Sequence, residues 1–378
     1  VNFSFTNEQI AFRKQVSSFF QSEEIREEVK RIRQHKELDA TSIYRMLGEK
    51  KWLAVNWSEH YGGQGKTLTE AAILSEEMSK AGVPEALHVI SIQIVGMLLY
   101  MVANEEQKER YLIPMAAGEK YAAVLYTEPH AGSDLSSLKT EAKRMEDGSY
   151  NIYGTKVYSM KTHLADYAIT AARTTHAQSK YDGLTLFMVP LKKDGVYIKP
   201  IDSMADESFF EVKLDGVNVS DADRIGELDK GWAIINQALA IERTGLDYYI
   251  RALRWFHMVE SQMTNTADVS AKVELKKLKS KLQSSRLLMY KILDQFERTG
   301  NVDESLAAMS KMYASELACE VVWKGFELRG TGASLCQDHG YPAHLGSLES
   351  AYRETPGLTI SAGSTEMMLE TVAKLAFA

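Results

Sequence analysis

Cysteine is nearly absent from this sequence: Cys319 and Cys336 are the only two in 378 residues. They fall in a helix-like and a loop-like segment without the spacing of a zinc site or a redox pair, which argues against a disulfide scaffold and a thiolate metal centre. Both are read as reduced thiols, which points to a cytoplasmic compartment. An excess of basic residues is also missing. The 44 Lys and Arg against 51 Asp and Glu leave a net charge of -7, and that balance offers no broad attraction for nucleic acid or an anionic membrane. Leu87–Ala103 lacks acidic and basic residues, yet His88, Ser91, Gln93 and Gly96 interrupt it, as in a buried helix rather than a membrane span. Val1–Ile10 carries neither a basic start before an apolar core nor an Arg/Ser-rich pattern, so no export or transit signal is visible. His-Glu-x-x-His, Cys-x-x-Cys and Gly-x-x-x-x-Gly-Lys-Ser/Thr are absent as well, which removes the common zinc, dithiol and P-loop chemistries. Gly330-Thr331-Gly332 follows a helix-like segment and lacks the third glycine of a dinucleotide loop.

What is present is the composition of a globular protein, 45% hydrophobic and 25% charged, in a chain long enough for two or three domains. Thr6 with Gln9 forms a capping-box pattern ahead of Ile10, Val16, Phe19 and Phe20 at helical spacing, and helix-like segments follow at Ala40–Lys50, Thr67–Ala81, Leu87–Ala103 and Glu105–Ala117. Between Tyr121 and Gly226 the period changes to alternation, as in Tyr167/Ile169/Ala171 and Leu184/Leu186/Met188, which predicts half-buried strands. All four Asp-Gly pairs, at Asp147, Asp182, Asp194 and Asp215, lie in this stretch, and the positive φ that Asp-Gly tolerates predicts hairpins of an antiparallel sheet. Helical spacing returns at Gly231–Met263, Val273–Thr299, Ser305–Arg329 and Thr365–Phe377. The expected organisation is a helical domain over residues 1–120, an antiparallel β domain over 121–226 and a helical bundle over 227–378.

At the helix-to-strand junction stands Tyr126-Thr127-Glu128-Pro129-His130-Ala131-Gly132-Ser133-Asp134. Its small and hydroxyl residues suit a turn, or a segment that brings backbone N–H groups and hydroxyls against a phosphate or a ring edge. With Glu59-His60-Tyr61-Gly62-Gly63-Gln64-Gly65, Asn104–Leu112, Gly154-Thr155-Lys156, Ala165-Asp166 and Ile360–Glu366, all in order, it resembles the acyl-CoA dehydrogenase family over nearly the whole chain. The resemblance implies an α–β–α fold with FAD between the β domain and the C-terminal helices, usually in a homotetramer or homodimer. It places Tyr126 and Thr127 beside the flavin ring and Ser133 at the pyrophosphate, and it makes Ser364 and Glu366 contacts to the FAD of the same or a neighbouring subunit. It implies proton abstraction from an acyl thioester, hydride transfer to flavin N5, and electron transfer flavoprotein or a similar acceptor as partner.

The sequence departs from the family pattern in three places. Tyr158-Ser159-Met160 stands where relatives have Trp-Ile-Thr; Tyr158 keeps an aromatic face, but the Met160 thioether has no hydrogen to donate to flavin N5. The Arg-x-x-Phe-Gly element that clamps a neighbour's FAD is missing, which leaves a hetero-oligomer open. The glutamate that many members carry ahead of Gly-Thr/Ser is Ala362. Isovaleryl-CoA and long-chain acyl-CoA dehydrogenases carry the base on a helix in a Glu-Arg pair, which Glu242-Arg243 matches. Ile235, Ala238, Leu239, Gly245, Leu246 and Tyr249 surround Glu242 at helical spacing, an apolar face that raises a carboxyl pKa. The expectation is therefore an acyl-CoA dehydrogenase with Glu242 as base, the Ala362 N–H polarising the thioester and Arg243 on the substrate side. A flavin monooxygenase and a non-catalytic subunit of a hetero-oligomer are the rivals.

Overall fold

The structure, a computed structural model, describes residues 4–35, 39–263, 268–334 and 343–376; Cys336 and Phe377 lie outside them. The N-terminal part is helical: α1 (Asn7–Phe20), α2 (Glu23–Gln34), α3 (Thr41–Glu49), α4 (Leu68–Ala81), the continuous rod of α5 (Ala86–His88), a π-helical stretch (Val89–Gly96) and α6 (Met97–Val102), and then α7 (Glu105–Ala116). Reciprocal capping boxes start three of them, at Thr6/Gln9, Thr67/Glu70 and Asn104/Gln107, each satisfying two backbone donors that the helix leaves free. Gln107 also donates through Nε2 to the carbonyls of Ala222 and Arg224, at 2.9 and 2.8 Å. The Tyr111 hydroxyl and Arg110 both meet Asp223, so α7 is fastened to the β domain.

Eight strands follow: β1 (Ala122–Leu125), β2 (Glu141–Arg144), β3 (Tyr150–Met160), β4 (Tyr167–Arg173), β5 (Leu184–Pro190), β6 (Val196–Ile201), β7 (Phe209–Val219) and β8 (Arg224–Ile225). Their order is β6-β7-β3-β2-β4-β5-β8, with β1 also paired to β4. The sheet is mostly antiparallel, but β1 and β2 each run parallel to β4, which a purely antiparallel expectation misses. Asp147, Asp182 and Asp194 precede glycines in turns, all at positive φ. Asp215-Gly216 does not turn the chain: Ile152 pairs with Val217 and Tyr153 with Asp215, so Gly216, φ 71°, is the extra residue of a bulge inside β7. Nor are β4 and β5 half-buried. Ile169, Ala171, Leu184, Leu186 and Met188 enter the core of the N-terminal helices, while Ala168, Ala172, Phe187 and Val189 fill a second core on the opposite sheet face. Both faces are covered, so alternation there separates two cores rather than core from solvent.

The C-terminal part comprises α8 (Gly231–Glu242), α9 (Leu246–Gln262), α10 (Val269–Thr299), α11 (Glu304–Arg329), α12 (Ala343–Leu358) and α13 (Thr365–Ala376). The sequence pattern predicts one helix over Gly231–Met263. The chain instead breaks after Glu242, because Gly245 takes φ 89°, a left-handed conformation that ends α8 and starts α9 in a new direction. A side chain at Gly245 would overlap the Ser310 hydroxyl of α11, so the break is also a point of close helix approach. Ile234, Ile235 and Ala238 of α8 belong to the N-terminal core, whereas α9 to α12 enclose their own. No helix among the described residues is long and apolar enough to cross a membrane.

Candidate active site

The site is assembled around the end of β1. Glu128 and Lys156 are both buried; Lys156 Nζ donates to Glu128 Oε1 at 2.9 Å and to the Tyr126 carbonyl at 3.1 Å. Glu128 also accepts the backbone N–H groups of Lys139 and Thr140, at 2.7 and 2.9 Å. Burial pulls the Lys156 ammonium down to about 8 against the attraction of Glu128, whereas for Glu128 burial, the largest single influence, is outweighed by Lys156 and the hydrogen bonds from Thr140 and Lys139 together, which hold it below its ordinary range. With three hydrogen bonds on the carboxylate, the geometry favours the ion pair. This pair pins Tyr126-Thr127 to β3. In the sequence Glu128 and Lys156 stand in two separate motifs, Tyr126–Asp134 and Gly154-Thr155-Lys156, and only their opposite charge amid small and apolar residues hints that they pair.

Thr127 accepts Val157 N–H at 2.9 Å through its carbonyl, and there β3 bulges: Lys156 pairs with Val212 and Ser159 with Phe210, leaving Val157 and Tyr158 opposite one residue. Tyr158 adopts φ 59°, costly for a side chain with a Cβ, and the residue is 65% exposed. A bulge that re-aims an aromatic ring out of the sheet is a common device beside functional sites. Met160 ends β3, partly buried, opposite Phe209. The Ser159 hydroxyl donates to the Val124 carbonyl at 2.8 Å, so it joins β3 to β1.

Glu242 is the last residue of α8. Because the helix ends there, Gly245, Leu246 and Tyr249 do not continue its face, and of the apolar neighbours expected from helical spacing only Ile235, Ala238 and Leu239 share its helix. The groups that sense its charge are Tyr126, Arg243, Asp247, Tyr248 and Lys311. It keeps some solvent access, and no hydrogen bond or ion pair to its carboxylate is found among the described residues. Burial pushes its carboxyl up to about 7, helped by Asp247 and opposed by Arg243 and Lys311. A helix C-terminus disfavours negative charge as well.

Three of these groups, Arg243, Tyr248 and Lys311, also hold the loop between α12 and α13. Arg243 Nε donates to the Ala362 carbonyl at 2.8 Å, the Tyr248 hydroxyl to the Ser361 carbonyl at 3.3 Å, and Lys311 Nζ to the carbonyls of Leu358 and Gly363 at 3.0 and 2.8 Å. Ala362 and Gly363 take φ 53° and 107°. Neither of their N–H groups meets a backbone acceptor among the described residues. Arg243 also lines a small cavity with Asn236, Ala240, Glu304 and Ala307.

The fold thus brings Tyr126, Thr127, Tyr158 and Met160 to one end of the sheet, and Glu242, Arg243 and Ala362 to one helix junction, with Tyr126 next to Glu242. Ser133 is exposed in the following loop, and its hydroxyl has no partner among the described residues. Ser364 caps α13, its Oγ accepting Met367 N–H at 3.4 Å, and Glu366 is exposed in the first turn. No hydrogen bond among the described residues ties Ser364 or Glu366 to the Tyr126 group. For a planar cofactor with a phosphate tail the fit is good: the buried Tyr126 hydroxyl is unpartnered, the Tyr158 ring is open, and at Gly132 even a Cβ would meet nothing. Among the described residues no His, Cys, Asp and Glu cluster could hold a metal ion.

Family models for the N-terminal, middle and C-terminal domains of acyl-CoA dehydrogenase match residues 6–119, 123–217 and 229–377. The chain is 27% identical to Acyl-CoA dehydrogenase FadE26 of Mycobacterium tuberculosis, covering 99% of this chain and 97% of that protein. It is also 27% identical to the mitochondrial long-chain specific acyl-CoA dehydrogenase of Rattus norvegicus, over 98% and 86%. Among solved structures, the Tcur3481-Tcur3483 steroid ACAD is similar with a TM-score of 0.88 at 26% identity, over 100% of this chain and 99% of that one. The ChsE4-ChsE5 complex from Mycobacterium tuberculosis gives 0.86 at 26% identity, with the same coverage.

Proposed function

The chain belongs to the acyl-CoA dehydrogenase family, and from that premise we propose that Glu242 removes the α-proton of an acyl thioester as FAD, the cofactor of this oxidoreductase family, takes the β-hydrogen as hydride at N5. The observation that carries the reading is a carboxylate with no partner, pushed up to about 7 by burial, beside a loop whose free N–H groups are set at strained φ. A base poised near neutral pH combines a useful ionised fraction with proton affinity. The Ala362 N–H polarises the thioester carbonyl and so stabilises the enolate-like charge that builds as the proton leaves. Tyr126, Thr127, Tyr158 and Met160 line the flavin ring, Ser133 meets the pyrophosphate, and Ser364 and Glu366 reach FAD of the same or a neighbouring subunit. Arg243 serves the substrate indirectly, by holding Ala362, and directly where the thioester's tail passes the Asn236–Ala240 cavity. An electron transfer flavoprotein or similar acceptor reoxidises the enzyme, which works as an oligomer.

A second reading concerns assembly. The two similar structures at 26% identity carry paired names, and the missing Arg-x-x-Phe-Gly clamp fits FAD completed by a different chain. Purification followed by anaerobic addition of acyl-CoA tests the function. The oxidised flavin band should bleach without oxygen or pyridine nucleotide. Oxygen uptake driven by NAD(P)H, with no bleaching by acyl-CoA, would instead identify a monooxygenase; FAD retained only after co-purification with a second chain would make the active unit a hetero-oligomer.

A further inference from the structure

Lys311 is a buried lysine that the proposed mechanism does not use. Its side chain, midway along the first half of α11, is completely enclosed. Its ammonium donates to the carbonyls of Leu358 and Gly363, one on each side of Ala362, at 3.0 and 2.8 Å, and lies 5.1 Å from the centre of the Tyr248 ring. Tyr248 in turn holds Ser361, and Arg243 holds Ala362 itself. An ammonium taken out of water is costly unless its donors are used, yet two of its three hydrogens meet only neutral carbonyls. The anions whose charge it senses are Glu242, Glu316 and Glu366, Glu242 the most strongly. A structural lysine is commonly paired with a carboxylate; here no carboxylate contact to the ammonium is found among the described residues, and the anion it senses most strongly is the proposed base.

We propose that Lys311 is a positioning residue for proton abstraction, its ammonium clamping both flanks of Ala362 so that the Ala362 N–H stays free for the thioester oxygen, while its charge favours the ionised base. The inference rests on the reading of Glu242 and Ala362 given above. The groups facing Glu242 are Tyr126 from the end of β1, Arg243 after α8, Asp247 and Tyr248 on α9, and Lys311 on α11; those facing Lys311 are Glu242, Arg243, Glu316 and Glu366, with the Tyr248 ring above. Burial lowers Lys311 to about 8. Flavin reduction should therefore rise with pH through the Glu242 ionisation near 7 and fall again as Lys311 loses its proton, a narrow bell whose two limbs belong to the coupled pair.

The test uses the FAD-loaded enzyme with Lys311→Met, which removes donor and charge, and Lys311→Gln, which keeps a donor without charge. In a Glu242→Gln background the substrate stays unreacted, and the infrared carbonyl stretch of bound 13C-labelled acyl-CoA reports polarisation. The stretch should lie below that of free substrate with Lys311 present, return toward the free value in Lys311→Met, and return only in part in Lys311→Gln. With Glu242 intact, both variants should lose the alkaline limb and shift the acid limb to higher pH, and Lys311→Met should reduce flavin about 10²-fold more slowly, the size of losing one such donor. If Lys311→Met does not retain FAD, Lys311→Gln alone decides. An unmoved stretch together with unmoved limbs in a folded, FAD-loaded variant overturns the proposal. A stretch identical to free substrate even with Lys311 present sinks the Ala362 reading instead, and so separates the two.

Discussion

At the residue scale the sequence nominates Glu242 as the base we propose, while its surroundings were only partly legible. The Glu242-Arg243 pair and the alanine at 362 sufficed to nominate Glu242, but helical spacing carried the face past its end to Gly245, Leu246 and Tyr249, because one left-handed glycine three residues later ends the helix. The charged and phenolic groups around Glu242 come from α9, α11 and the end of β1 as well as Arg243, placements with no local sequence signature. The same enclosure has a cost in stability. A carboxyl whose folded value is raised from 4.5 to about 7 loses folding free energy as pH rises through that interval, since the native state binds the extra proton there. Glu242→Gln is therefore expected to unfold at an equal or higher temperature than the wild type at pH 8, and a lower melting temperature would contradict this. Ser133→Ala removes one hydroxyl proposed for the pyrophosphate, worth on the order of 1.5–3 kcal/mol for a hydrogen bond to a charged group; FAD titration of the apoprotein should show a matching loss, and unchanged affinity would move the phosphate elsewhere. Met160→Thr should shift the flavin reduction potential by restoring a donor, unless Met160 lies off the ring.

At the element scale, long apolar-rich helices were expected and a short, highly charged one was passed over. The long α10 and α11 were expected, whereas α2 was not: Ile25, Val29 and Ile32 form a regular buried stripe, but charged residues dominate the other faces of its twelve residues. The β7 bulge illustrates why dipeptide rules stop short: Asp-Gly prefers positive φ, and both a hairpin turn and a bulge supply it. The π-helical stretch Val89–Gly96, which packs on α8 and β1, had no signal in the sequence either; such turns are rare and cluster at functional sites. The break at Gly245 is the element-level feature on which the site depends. Gly245→Ala adds a side chain at φ 89° and pushes it onto Ser310, so a loss of about 1–3 kcal/mol is expected. Chemical denaturation measures it, and a slower flavin reduction should accompany it as α8 shifts against Ala362.

At the scale of the whole molecule, the order of helical, β and helical parts was visible in the change of period, and the motifs pointed to the family whose domain models match the chain. What holds the parts together was not, because it lies in charges distant along the chain. Glu76 of α4, 1% exposed, accepts Arg13 of α1 at 2.5 Å, Arg286 of α10 at 2.7 Å and the Tyr249 hydroxyl of α9 at 3.3 Å. Lys161, one residue beyond Met160, is likewise held by Asp39 and Glu207 at 2.9 and 3.1 Å. Removing one partner from a buried pair strands the others, so Glu76→Gln should cost about 3–5 kcal/mol, read by denaturant unfolding. Burial alone would raise the Glu76 carboxyl, but Arg286 and Arg13 outweigh it and lower it below 4.5. Its stabilisation is therefore complete above pH 4.5 and lost as pH falls below it, and the acid-unfolding difference between wild type and Glu76→Gln should close in that range.

The most direct test of the account is single-turnover reduction of bound FAD by acyl-CoA, mixed anaerobically with the wild type and with Glu242→Gln. The amide keeps the shape of the side chain and removes the base, so FAD content and acyl-CoA binding should persist while flavin bleaching slows by about 10²–10⁴-fold. In the wild type, bleaching should quicken as pH rises through about 7, where Glu242 ionises. A Glu242→Gln enzyme that bleaches at the wild-type rate would contradict the account and remove Glu242 from the mechanism.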